Sequence, residues 1–104
     1  HHLTFSGSGT PSVGGSTING DLTLSSATSM ALSTTAALTV GGAVTVGVNT
    51  TLTVGAFNFS AGGTTSVSGT LDHASATGTK THTGLVTVNG GGIWTNTGGA
   101  AVTF

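Results

Sequence analysis

Apolar and polar residues alternate in short bursts along this chain. Between 38 and 59 the bursts are Leu38-Thr39-Val40, Val44-Thr45-Val46, Leu52-Thr53-Val54 and Phe57-Asn58-Phe59, with nothing charged among them. Leu22-Thr23-Leu24 and Met30-Ala31-Leu32 carry the same rhythm upstream. A period of two sends both apolar residues of a triplet to one side and the middle residue to the other, which is the signature of a strand. The segments between triplets are short and rich in Gly, Asn, Ser and Ala, residues that supply turns. Strands of three residues are therefore predicted about every seven positions. A strand this short buries too little to be stable alone. Stacking many along one axis solves the problem, because each coil hydrogen-bonds to its neighbours and the inward residues form a continuous apolar column. Val40, Val46, Val54 and Phe57 are expected to point inward, and Thr45 outward.

Two coil sizes fit the spacing. An offset of 14 aligns Gly41, Gly55 and Gly69, then Thr51, Thr65 and Thr79, then Thr53, Val67, Thr81 and Thr95. That echo suits two strands per coil. Three strands per coil, about 21 residues, makes LTV at 38, FNF at 57, KTH at 80 and VTF at 102 equivalent starts. The three-sided reading is preferred because its interior is wide enough for Phe57, Phe59 and Phe104. The expected fold is thus an all-β parallel solenoid of about five three-sided coils, with two-sided 14-residue coils as the alternative. An antiparallel sandwich ranks third, since it does not require the echo. One repeat domain is expected over 1–104, either a whole subunit or a stretch of a longer array.

Composition supports strands over the alternatives. Thr, Gly and Ser fill just over half of the 104 positions, and Glu, Gln and Arg are missing. Helix is disfavoured by that choice, whereas Thr and Val suit a pleated, half-buried surface. Disordered chains combine low hydrophobicity with high charge; here 36% of residues are hydrophobic and only 3% charged. The charged residues are Asp21, Asp72 and Lys80, and the net charge of −1 gives no basic patch for nucleic acid or an anionic membrane surface. No apolar run approaches the roughly 20 residues of a membrane-spanning helix. With no Cys there is no disulfide framework.

TINGDLTLSS (17–26), LTVGGAVTV (38–46) and GLVTVNGGGIWTNTGGAAVTF (84–104) resemble the long, low-charge β-helical repeat regions of bacterial secreted and cell-surface proteins. Autotransporter-type and haemagglutinin-like adhesins and surface filaments are of this kind. The resemblance covers nearly the whole chain through composition and triplet rhythm. It implies an extracellular, cell-surface solenoid with an adhesive or scaffolding role, and it brings no catalytic residue with it.

Candidate chemistry is sparse. Asp21 follows Asn19-Gly20 and reads as a turn residue. Asp72, His73 and Ser75 offer the residue types of a hydrolytic triad, but adjacency in sequence is no evidence for one. A glycosidase needs two carboxylates flanking one bond, and the two Asp are 51 residues apart. His73 and His82 could meet on adjacent coils, yet two His without a carboxylate or Cys leave a zinc site incomplete. They are read as solvent-facing or turn residues. Calcium-binding β-helix repeats need an Asp in each unit, which this chain lacks. No enzyme activity, cofactor or metal is therefore expected, and no catalytic, cofactor-binding or metal-binding residue is assigned.

Surface readings remain. Asn49-Thr50-Thr51 and Asn58-Phe59-Ser60 match the N-glycosylation pattern, as chance allows in a Thr-rich chain. Alternating Thr, such as Thr79, Thr81 and Thr83, could form a hydroxyl grid similar to the face of Thr-rich ice-binding solenoids, with Val67, Ser68 and Lys80 interrupting it. An ice-binding module is thus the alternative function, and a surface glycan a conceivable ligand. The terminal triplets LTF and VTF carry no charged or helical cap. Open strand edges invite pairing with another chain, so Leu3, Phe5, Trp94, Val102 and Phe104 are the expected end-to-end stacking contacts. The expected partner is a second copy of the chain or further coils of a longer parent.

Overall fold

The computed structural model describes residues 2–13, 16–99 and 101–104, and among them there is no helix. Fifteen short strands form three parallel sheets of five. The first sheet runs β1 (Leu3–Ser6), β4 (Leu22–Ser25), β7 (Val44–Val46), β10 (Thr65–Val67), β13 (Val86–Val88). The second runs β2 (Ser12–Val13), β5 (Met30–Thr34), β8 (Thr50–Val54), β11 (Thr70–His73), β14 (Ile93–Thr95). The third runs β3 (Ser16–Ile18), β6 (Leu38–Val40), β9 (Phe59–Ala61), β12 (Lys80–His82), β15 (Val102–Thr103). The chain visits the three sheets in turn, so three consecutive strands make one coil and the molecule is a three-sided solenoid of five coils.

Register sets the repeat. Val44, Thr65 and Val86 stack in the first sheet, each 21 residues beyond the one before. The 14-residue echo is explained by the same geometry. Each side of the triangle uses about seven residues, so an offset of 14 moves two sides forward, from β6 to β8, rather than one coil up. Residues aligned at that offset consequently lie on different faces. Thr53 and Thr95 point out of the second sheet and Thr81 out of the third, while Thr65 and Val67 are buried in the first.

The core is a set of vertical columns. Leu22, Leu24, Leu32, Val40, Val44, Val46, Leu52, Val54, Val67 and Leu71 are all fully buried, as period-2 alternation requires. Phe57 does not join them. In the third sheet Phe59 pairs with Leu38 below and Lys80 above, so the equivalent starts are 38, 59, 80 and 102. FNF and the true strand FSA have the same parity, and alternation alone cannot separate them. The corner decides: the Asn58 side chain accepts the Thr79 N–H at 2.8 Å and the Phe57 carbonyl takes up a lysine ammonium, so both residues serve the turn.

Corners are stapled from coil to coil. The Asp21 carboxylate accepts the Ala43 N–H at 2.8 Å, in keeping with its reading as a turn residue. The turn from the third sheet back to the first stacks Gly20, Gly42, Gly63 and Gly84. A Cβ on Gly63 would lie 2.6 Å from the Gly42 carbonyl carbon and oxygen. Only a residue without a side chain lets successive coils close to strand-pairing distance at that corner.

Candidate functional site: the fifth coil and the polar layer beneath it

The fourth coil breaks the apolar columns. At the inward positions where the third coil has Val44, Val54, Phe59 and Ala61, it has Thr65, His73, Lys80 and His82. All four are buried, with the two His and the Lys at 0% exposure. KTH alternates like every other triplet: Thr81 faces out, and the flanking Lys80 and His82 take the inward places. His73 arrives the same way on β11, with Leu71 inside and Asp72 outside. The reading of both histidines as solvent-facing or turn residues is thus corrected, as is the placing of Lys80 among the outer Thr. Strand parity overrides side-chain polarity here.

Each buried polar group is held differently. Lys80 Nζ donates to the carbonyls of Gly55 at 3.0 Å, Phe57 at 2.7 Å and Thr77 at 2.7 Å. These bonds use all three of its protons, with no carboxylate among the acceptors. Burial pushes its pKa below the usual lysine value. His73 Nε2 and His82 Nε2 face each other at 3.2 Å, one donating and the other accepting. His82 Nδ1 is within 3.3 Å of Thr65 Oγ1. His73 Nδ1 is buried without a hydrogen-bond partner. Burial, then the neighbouring His82 and Lys80, pull the His73 pKa down to about 4, with Asp72 opposing. Burial also lowers His82. Both imidazoles are therefore neutral at pH 7.

Aromatic rings enclose the pair. Phe59 lies below, with ring centroids 6.2 Å from His73 and 5.6 Å from His82. From the fifth coil, Trp94 meets His73 edge-on at 5.4 Å and Phe104 stacks on His82 at 5.7 Å. Among the described residues no group of three or more His, Cys, Asp or Glu gathers, so the two imidazoles stand without a third such ligand. Asp72 lies on the opposite side of β11 from His73 and cannot orient it as a triad carboxylate would. It instead receives Thr95 Oγ1 at 3.0 Å, Thr97 N at 3.2 Å and Thr97 Oγ1 at 2.9 Å, tying the fifth coil to the fourth. Burial works against its charge, but these bonds more than offset that and hold its carboxyl below the usual range.

The five expected stacking residues fall at opposite ends. Leu3 and Phe5 lie partly buried on β1 and pack against the core from the first coil. Trp94 and Val102 are partly buried in the fifth coil, and Phe104 is 69% exposed. Trp94 and Phe104 come together, with centroids 5.9 Å apart. The fifth coil also leaves Leu85, Val88 and Ile93 exposed, which the sequence reading did not single out.

The outer faces carry hydroxyls in register. Thr4, Thr23, Thr45, Ser66 and Thr87 form one rank up the first sheet. Thr17, Thr39, Ser60, Thr81 and Thr103 form another on the third. The second sheet carries two ranks, one interrupted by Asp72 and the other by Ala31 and Ile93. Compared with protein-family models, curated proteins and solved structures, the chain matches none.

Proposed function

We propose that this solenoid is a structural module that works by stacking coil on coil, as a subunit or segment of an extracellular adhesive filament. The observation that carries this reading is the fifth coil. Its strands β13, β14 and β15 each pair on one side only, and Val88 and Phe104 stand exposed above them. An open parallel edge over uncovered apolar side chains is a template for the next strand. The first coil offers the complementary edge through β1, with Leu3 and Phe5 at the base of the columns that Val86 and Val88 continue. The docking coil is either a second copy or further chain, and Leu3, Phe5, Trp94, Val102 and Phe104 contact it. Few charges oppose the approach. The resemblance of the repeats to secreted surface proteins supports an extracellular, bacterial setting. We read the module as non-enzymatic, since its two carboxylates sit at a corner before β4 and on β11, each occupied with stapling coils.

Light scattering and negative-stain imaging of the 104-residue chain test self-stacking. Fibres one solenoid wide, lost in Leu3→Asp and Val88→Asp variants, are expected. A stable monomer at high micromolar concentration removes self-stacking.

Ice binding is the second reading, favoured by the unbroken hydroxyl rank on the first sheet, whose rungs repeat at about 4.8 Å. Thermal hysteresis that disappears in a Thr23→Tyr/Thr45→Tyr variant would support it; none in the native chain excludes it.

A further inference from the structure

We propose that the imidazole pair of the fourth coil is an acid-operated latch that releases the fifth coil, and with it the stacking edge. The inference rests on the stacking reading for its consequence, but the latch itself rests on the geometry. Elsewhere the interior coils meet mainly through hydrocarbon, joined by the buried hydroxyls of Thr34 and Thr50 and, among the described residues, by no titratable side chain. The fifth coil instead lays Trp94 and Phe104 on His73 and His82, so its inner contact is with a titratable layer.

Proton counting shows why this layer is sensitive. Two neutral imidazoles supply one N–H for the Nε2–Nε2 contact at 3.2 Å. If Thr65 donates to His82 Nδ1, His82 donates to His73 and the proton of His73 sits on Nδ1. If His82 Nδ1 donates to Thr65, His73 donates and its Nδ1 is bare. Either way His73 Nδ1 is buried with no partner. A first added proton creates an imidazolium inside an aromatic cage. A second sets two N–H groups head to head and breaks the contact.

The surroundings offer little relief. β12 presents Lys80, whose positive charge adds to the repulsion. β11 carries Asp72, which favours the charged form but lies on the outer side, engaged by Thr95 and Thr97. β8, β9, β10 and β14 present Val54, Phe59, Thr65 and Trp94, none of which titrates in this range. The sign follows. Both folded-state values lie below the ordinary 6.5, so the folded coil excludes protons that the released coil binds. Its attachment is complete above about pH 6.5 and weakens as the pH falls toward the His73 value of about 4. Release is favoured because, among the described residues, the fifth coil contributes no buried apolar residue, whereas each of the other four contributes at least one.

Trp94 is the only tryptophan and reports the event directly. Its emission, far-UV circular dichroism and light scattering are followed from pH 8 to pH 4. The expected result is a red shift of Trp94 with a midpoint between about 6.5 and 4, while the β signal falls by about one coil's share of five and any stacks dissociate. The double variant His73→Leu/His82→Gln should hold its emission flat to pH 4. Unchanged wild-type emission, a midpoint at or above 6.5, or the same transition in the double variant overturns the proposal. Should that variant fail to fold, the imidazole NMR signals of the native chain decide. Two titrations below the ordinary range that coincide with the Trp94 shift support the latch, and two ordinary ones refute it. Absence of stacks at pH 8 would sink the stacking reading while leaving the Trp94 arm intact as the test of the latch.

Discussion

Lys80 Nζ donates to the Phe57 carbonyl at 2.7 Å, and the same ammonium holds the carbonyls of Gly55 and Thr77. One side chain rising from the third sheet thereby ties together two corners of successive coils. Its charge is solvated by main chain alone, so the cost of burying it is met by three charge-assisted bonds.

Removing the ammonium leaves three converging carbonyls without a donor, each worth about 1–3 kcal/mol when buried. Some of that is regained because no charge is buried any longer. Lys80→Ala is expected to destabilise the fold by about 2–4 kcal/mol in urea unfolding. Lys80→Met should recover little despite refilling the space, because the loss is hydrogen bonding and not volume. Full recovery in Lys80→Met would show that packing is what matters at this site.

Phe59 and Phe57 provide a matched pair for testing the core. Phe59→Ala, at 1% exposure, should cost on the order of 3–5 kcal/mol. Phe57→Ala, at a partly exposed corner, should cost about 1 kcal/mol or less. Thr45→Ser on the outer face should also stay below about 1 kcal/mol. Equal losses at 57 and 59 would contradict the register of the third sheet.

Much of this architecture is legible in the chain, and each miss has its own physical cause. The triplets fix strand parity, and the KTH–LTV alignment at 80 and 38 matches the observed stacking of β12 in the third sheet. That alignment already places Lys80 and His82 inward. Their residue types argue the opposite, and a lone sequence has no way to weigh parity against polarity. Phe57 is misplaced because a slip of two residues preserves parity. The His73–His82 contact is a matter of three-dimensional closure: nine residues separate them, but the corner between β11 and β12 folds their strand ends toward one axis.

Glycine at the third-to-first corner is a packing requirement. Gly63→Ala puts a methyl group 2.6 Å from the Gly42 carbonyl and should cost about 1–3 kcal/mol through forced separation of two coils. Gly90→Ala meets nothing within 4 Å and has an ordinary φ, so its stability should stay within about 0.5 kcal/mol of the parent. Thermal melts of the two variants side by side give the comparison.

Asp72→Ala removes the acceptor of three donors, Thr95 Oγ1, Thr97 N and Thr97 Oγ1, at a partly exposed position, a loss of about 1–2 kcal/mol. The effect should be local. Amide exchange should accelerate in 93–97 and leave β4 through β8 unchanged. Acceleration spread evenly over all coils would mean that the fifth coil cannot open separately.

Parallel stacking with one covalent thread has a mechanical corollary. Between one coil and the next the chain advances by 19 residues, as from Leu3 to Leu22, and by up to 23, as from Thr70 to Ile93. Tension on the two chain ends loads the outermost coil first, and its ladder bonds break in succession instead of together. Each coil that peels away releases roughly 70 Å of slack, at about 3.4 Å per extended residue. Pulled along its length, the molecule is a spool: it lengthens in steps of similar size while the coils still wound keep their shape.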